Sequence, residues 1–556
     1  MSSHINGFIQ ELKCIVSLAW PLMLTHLLRF INPSLSIMIC GHLSREELDA
    51  ASLANSVINV LGLSIDMGFS TASETLFCQT YGSKKRKLMG LLLQRALLIM
   101  TMLFGILACI HINIESILLL IGQNPIISSL TAEYITYILP GLFFDFMFMT
   151  LARYLESQNL VRPMVLAACA GTVFTLFAQT FVLQWDLGLR ASAGFLSISF
   201  GIMLLGEILY IFRYRVYVET WGGCDLLGAM SEWGIFFRLG IPGILMIALE
   251  EWCLELNTFV AGTISEEILG AQAIAFQIQS IIYMIPLGIS TAVNVRVGQG
   301  LGAFNPTAAK FTYLTALTST VFIAFLTAAP VVLFRHSVSF IFTSDVEVAA
   351  KASEILPMLF IFQFCEGLAG VSEAVLIACG RQVLGAVTIF FGYYALGLPL
   401  SFFFYLKCDL GIIGMWTGIA IGFFITALTY TFFALRTDWV QQSRRAVKTV
   451  QQQSTAFADN DITDEGVVRI MSFSDGSEDR HRPTFTRRSC SHAVRFRVFL
   501  FILIGFVLLA SIVHRKTVAV PLWFERCVES LRLNSTLAPF CSIDLAGVKA
   551  AAALPA

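Results

Sequence analysis

Residues 247–257 read IALEEWCLELN and place Glu250, Glu251 and Glu255 inside a stretch otherwise apolar enough to cross a bilayer. An ionised acid at the centre of a membrane helix costs about 2.5 to 3.5 kcal/mol, so three cost roughly 8 to 10 kcal/mol. Acids kept there usually mark an ion or proton pathway, with a partner or a wet cavity offsetting the charge. A helix turns about 100° per residue, so Glu251 and Glu255 stack on one face while Glu250 projects about 140° from Glu255. That spread excludes a narrow three-ligand pocket and points to a wide cleft that admits water. Carboxylates crowded in such a cleft can take up and release protons near neutral pH, and when ionised they can hold a cation. The chemistry expected is exchange, with no covalent step.

A second deep charge is Arg29. It lies about 14 residues into the first apolar segment, roughly 20 Å deep at helical rise, too far to snorkel to an interface. It therefore demands a buried acid, and Asp66, Glu74 and Asp145 are the candidates, left unranked. His26, three residues earlier, reads as a polar packing residue, with a titrating imidazole as the alternative, and both it and Arg29 are expected to line the substrate cavity. Glu207, near the inner end of the sixth segment, reads as interfacial.

The elements that must position these groups are membrane helices. The chain has 556 residues, 56% hydrophobic and 13% charged, with mean hydropathy +0.76, far more apolar than soluble domains. Apolar segments of span length recur at 15–39, 52–76, 89–111, 130–152, 163–184 and 192–213. Six more follow at 236–261, 268–293, 309–334, 352–379, 383–405 and 410–434, with a thirteenth at 496–513. No basic stripe suggests nucleic acid. The thirteen cysteines form no CxxC pair and the eight histidines are scattered, so no metal site and no catalytic constellation is expected. No cleaved signal peptide is read at the N-terminus.

Lysine and arginine cluster in even-numbered loops, as in Gly82–Lys87 (GSKKRK), at Arg153 and Arg162, and at Arg213, Arg215 and Arg238. Basic loops favour the cytosol. The expected layout is a cytosolic N-terminus at 1–14, a first lobe at 15–216, a cytosolic loop at 217–235 and a second lobe at 236–436. A disordered cytosolic linker at 437–494, rich in Gln, Ser, Asp and Arg, would lead to span thirteen at 495–514 and an extracellular tail at 515–556. The sequon at Asn534 is a possible glycosylation site on that outer side.

The two lobes repeat. ICGHLSREELDAASLA (39–54) lies under VAGTISEEILGAQAIA (260–275) at an offset of 221, and Pro21 matches Pro242 at the same offset. Six spans per copy is an even number, so both copies enter with one orientation. The expected fold is an all-α polytopic membrane protein of two parallel six-helix repeats plus a thirteenth span, an arrangement used by alternating-access carriers.

The stretches CGHLSREELDAASLANSVINVLG, SETLFCQTYGSK, LGAQAIAFQIQSIIYMIPLGISTAVNVRVGQGLGA and TIFFGYYALGLPLSF resemble the animal branch of the multidrug and toxic compound extrusion (MATE) family over residues 15–436. The resemblance implies a plasma-membrane exporter of organic cations and xenobiotics in exchange for protons. No cofactor beyond the coupling proton, no enzymatic activity and a monomer working in the lipid bilayer are expected.

Position by position, the resemblance puts the essential acid on Glu250, a second on Glu255 and a third on Glu366 of the tenth span, with polar first-lobe positions of the substrate cavity at Asn59 and Glu74. It places aromatics at Trp252 and Tyr283. With Phe276, these can face a quaternary or guanidinium group for about 0.5 to 2 kcal/mol each. The chain departs from the pattern at Gln277, where relatives carry a glutamate, and at Glu251, where they carry an aromatic. It departs again at Leu254 for tyrosine, at His26 for glutamine, at Arg29, and in IACGRQ for RGxGxQ. Glu251 can supply the charge absent at Gln277.

Three rival readings fit the residues less well. A sodium-coupled exporter, or one moving lipid-linked or anionic substrates, would need a first-lobe acid cluster or a basic cavity, and apart from Arg29 and Arg296 the central spans suggest neither. A membrane-embedded enzyme would need paired ligands or a nucleophile with its base. A receptor or channel fits poorly with the repeat.

Overall fold

The computed structural model describes residues 2–262, 265–343, 345–408, 410–458 and 487–517. The first lobe comprises α1 (Ser2–Leu43), α2 (Arg45–Gly82), α3 (Leu88–Ile112), α4 (Pro125–Glu156), α5 (Arg162–Gln184) and α6 (Gly188–Arg213). The second comprises α7 (Gly234–Gly262), α8 (Glu266–Gly302), α9 (Pro306–Leu333), α10 (Met358–Ala378), α11 (Gln382–Leu406) and α12 (Gly411–Leu435). Two further helices follow, α13 (Trp439–Ala458) and α14 (Arg487–Thr517). Among the described residues twelve helices are long and apolar enough to cross a membrane. The 29-residue α7 matches them in length but carries Arg238 and the three glutamates.

The repeat is visible in how the helices start. Ser44, in extended conformation, accepts the Glu47 backbone N–H at 3.1 Å, and Ser265, 221 residues on, accepts that of Ile268 at 3.2 Å. Each hydroxyl satisfies a donor that the first turn of a helix leaves unpaired. The second copy differs from the first at its fourth helix. Where α4 runs unbroken through Pro140, the equivalent segment divides into Val346–Ile355 and α10, parted at Leu356 and Pro357. The expected span 352–379 thus crosses a break, at a proline that cannot donate a backbone hydrogen bond.

The lobes meet through α1 against α8 and α2 against α7, two contacts related by the repeat, and through α2 against α8. They touch backbone to backbone. A Cβ on Gly302 would lie 1.9 Å from the Gln79 carbonyl oxygen, and one on Gly82 would lie 2.1 Å from that of Gln299. These approaches, with Gly68 against Ile244 and Gly288 against Met23, fall in one half of the bundle, hereafter the closed end. A buried apolar cluster joins both lobes there, from Ile15 and Phe69 through Val297 and Ala309 to Val450. Separate clusters fill the interior of each lobe.

Two expectations are corrected. Residues 439–458, expected within a disordered linker, form α13, because Trp439, Gln442, Ser443, Ala446, Val450 and Gln453 fall on one buried face at helical spacing. Glu207, expected at an interface, is fully buried inside the first lobe. Helix α14 packs on α3, with Ile504 against Gly105 and Phe501 6.3 Å from Trp233. Residues 459–486 and Asn534 lie outside the described residues.

Candidate functional site

Helix α7 carries Glu250, Glu251 and Glu255, all partly accessible. Two irregular helices flank the turn that bears them. In α11, Phe390–Gly397 winds as a π-helix, and its two tyrosines reach α7: the Tyr393 hydroxyl donates to Glu250 Oε1 at 3.3 Å and the Tyr394 hydroxyl to the Leu249 carbonyl at 3.0 Å. In α2, Asn59–Leu63 is a second π-helix. The Val60 carbonyl at this turn accepts the Trp252 indole N–H at 3.1 Å and the Ser64 hydroxyl at 2.7 Å. A π turn loosens the regular hydrogen-bond ladder and is common at functional sites. Both of these converge on residues 249–252, one from each lobe.

Glu366 on α10 is 5% exposed, and one of its oxygens accepts the Gln279 amide of α8. It interacts electrostatically with Glu250 and Glu251, and Glu251 with Glu255. Tyr283 of α8 interacts electrostatically with Glu250, Glu251, Glu366 and Glu373. Phe276 and Gln277 are partly buried on the same helix. Trp252 is 39% exposed beyond its bond to Val60.

Glu373 was missed in the sequence. It follows Glu366 by seven residues, two turns along one face and about 10 Å away. It interacts electrostatically with both Glu250 of α7 and Glu74 of α2. The spacing from Glu366 was the signal that could have found it.

Glu74 itself lies at the seam. Its carboxylate pairs with Arg153 Nε at 2.9 Å within its own lobe, and Asn294 Nδ2 of α8 donates to it at 2.5 Å from the other. A second bridge runs from Glu11, at the start of α1, to the Arg296 guanidinium at 2.7 and 2.8 Å and the Thr312 hydroxyl at 2.6 Å. Asn59 lies fifteen residues before Glu74, about 22 Å along the helix, so these two first-lobe positions do not share a pocket.

Arg29 and His26, expected at the substrate cavity, belong instead to another network inside the first lobe. Asp145 is the partner of Arg29, accepting from Nη2 with both oxygens at 2.8 and 2.9 Å, and the Arg29 guanidinium also lies 5.7 Å from the Phe148 ring centre. Arg153 pairs with Glu156 at 2.7 Å. Asp66 and Glu207 are fully buried with no hydrogen-bond partner for either carboxylate oxygen among the described residues, and His26 is buried within the electrostatic range of Arg29 and Arg153. Asp66 interacts electrostatically with Asp145, and Glu207 with Asp145 and Glu156, a set of first-lobe acids that the sequence had not suggested because α2, α4 and α6 contribute them from positions far apart in the chain. Among the described residues no group of three acidic, histidine or cysteine side chains is arranged to hold a metal ion.

Comparison with known proteins follows the same division. The family model described as MatE matches twice, over residues 21–179 and 242–403, the second match beginning 221 residues after the first. Multidrug and toxin extrusion protein 1 of Oryctolagus cuniculus is 38% identical over 445 residues, covering 80% of this chain and 78% of the relative. Multidrug and toxin extrusion protein 2 of Mus musculus is 34% identical over 465 residues, covering 83% and 81%. Among solved structures, the eukaryotic MATE transporter AtDTX14 aligns at a TM-score of 0.75 with 26% identity, over 80% of this chain and all of that one.

Proposed function

Because the chain belongs to the MatE family of multidrug and toxin extrusion transporters, an efflux carrier and not an enzyme, we propose that it exports organic cations across the plasma membrane in exchange for protons. The observation that carries the reading is the group of carboxylates that interact electrostatically with Tyr283, namely Glu250, Glu251, Glu366 and Glu373, with Glu255 interacting in turn with Glu251. Ionised, these acids attract a cation between the lobes. Protonated, they release it. A carrier whose lobes rock only when the site holds one or the other performs exchange. Trp252, Phe276 and Tyr283 offer aromatic faces to the organic part of the cation, and Gln277 and Asn59 offer polar contacts. The protein works as a monomer with its closed end and N-terminus in the cytosol, in keeping with the basic loop at residues 82–87.

The test is uptake of a fluorescent organic cation into proteoliposomes under an imposed pH gradient, wild type against Glu250→Gln. The variant should lose gradient-driven uptake; uptake equal to wild type would refute the mechanism. A second reading is favoured by the first-lobe network. Asp66, a buried carboxylate with no hydrogen-bond partner among the described residues, is the candidate for coupling to sodium, and a sodium gradient that drives uptake at constant pH would establish it.

A further inference from the structure

We propose that α13 is a strap across the seam at the closed end, and that it must let go of the first lobe before that end can open. The helix follows α12 after only Arg436, Thr437 and Asp438, so its start is tied to the second lobe by the chain itself. Trp439 adds a ring contact with Tyr313 of α9 at 6.1 Å. About 21 Å further along, the helix ends on the other lobe. Arg95 of α3, fully buried, donates from Nη1 to Gln453 Oε1 at 2.5 Å, and the Lys85 ammonium bonds the Ser454 hydroxyl. Between these anchorages, Ala446 and Val450 sink into the apolar cluster that joins the lobes, while Arg444, Arg445 and Lys448 stay exposed.

Helix α13 thus packs against α8 and α9 on one side and α2 and α3 on the other. If the lobes part here, it cannot follow both. The covalent end stays with the second lobe, and the end held by hydrogen bonds separates. Arg95 remains satisfied after separation, since it also donates to the Gly228 carbonyl at 3.0 Å and the Ser231 hydroxyl at 3.3 Å. The strap is therefore built to open at Gln453 and Ser454.

The inference rests on the rocking of the lobes proposed above, but its test needs neither substrate nor gradient. Cys78 lies in the seam against Gly298 and is 1% exposed, so it becomes reachable when the closed end opens. The full-length protein in nanodiscs is treated with a water-soluble maleimide, and labelling of Cys78 is followed by peptide mass spectrometry. Gln453→Ala should be labelled about threefold faster than wild type and Gln453→Glu, which turns the contact into an ion pair with Arg95, about threefold slower. Cys40, buried within the first lobe, reports unfolding. Equal Cys78 rates in the three proteins, changes of the same sign in both variants, or Cys40 rising in step with Cys78 would each overturn the proposal.

Discussion

Asn294 of α8 donates its side-chain amide to Glu74 of α2 across the seam, at 2.5 Å, while the same carboxylate pairs with Arg153 at 2.9 Å. One acid thus holds the two lobes to each other and neutralises an arginine that is 5% exposed. Removing it leaves Arg153 with Glu156 as its remaining ion-pair partner. Glu74→Ala should destabilise the protein by about 3 kcal/mol, the scale for breaking a buried pair. Glu74→Gln, which keeps a partner for Asn294, should fall between alanine and wild type. Thermal unfolding in detergent, followed by size-exclusion chromatography, measures both.

The Arg29–Asp145 pair makes a sharper thermodynamic prediction. Asp145 is 1% exposed, so Arg29→Leu alone strands a buried charge and should cost about 3 to 5 kcal/mol. Adding Asp145→Leu removes the stranded partner and should restore most of that loss. A double-mutant cycle on melting behaviour gives the coupling, and a double variant no more stable than the Arg29→Leu single would show that the pair is held by something other than its mutual charge.

At the candidate site, the two tyrosines of the α11 π-helix should behave differently. Tyr393→Phe removes the donor to the Glu250 carboxylate and should lower transport efficiency about tenfold, the effect expected for a hydrogen bond to a charged group. Tyr394→Phe removes a bond to a backbone carbonyl, and the change should stay within about threefold. Initial rates of cation uptake against concentration separate the two.

Gly302→Ala tests the closed end directly. The new methyl carbon would sit 1.9 Å from the Gln79 carbonyl oxygen, and backbone there cannot yield without parting the lobes. Transport should fall at least about tenfold while the protein still reaches the membrane, as overpacking costs of about 1 to 3 kcal/mol allow. Surface labelling of intact cells alongside uptake distinguishes this from loss of the protein.

Much of this arrangement can be read from the residues. The apolar runs locate the helices, and the offset of 221 appears again in the matched caps at Ser44 and Ser265. The acids of α7 stand out because charge in an apolar run is costly. Other features leave weaker marks. Asp145 could not be ranked above Asp66 or Glu74 as the partner of Arg29, since a pair 116 residues apart depends on how α1 and α4 pack. Glu11 precedes the first apolar run, and only the extension of α1 back to Ser2 brings it to Arg296. Helix α13 was hidden by its polar composition, although Trp439, Ser443, Ala446 and Val450 keep helical spacing. The π turns have no sequence signature beyond glycine and packing, yet they aim Tyr393 and Val60 at α7.

Those π turns also set what the two helices are able to do. Each winds one extra residue into a turn, and that surplus need not stay where it is. If it migrates by one turn, every side chain between its old and new positions swings around the axis by about 100° while the helix keeps its length and its ends. In α11 such a slip would carry Tyr393 away from Glu250, and in α2 it would withdraw the Val60 carbonyl from Trp252. A ratchet of this kind changes what an acid touches without moving either lobe.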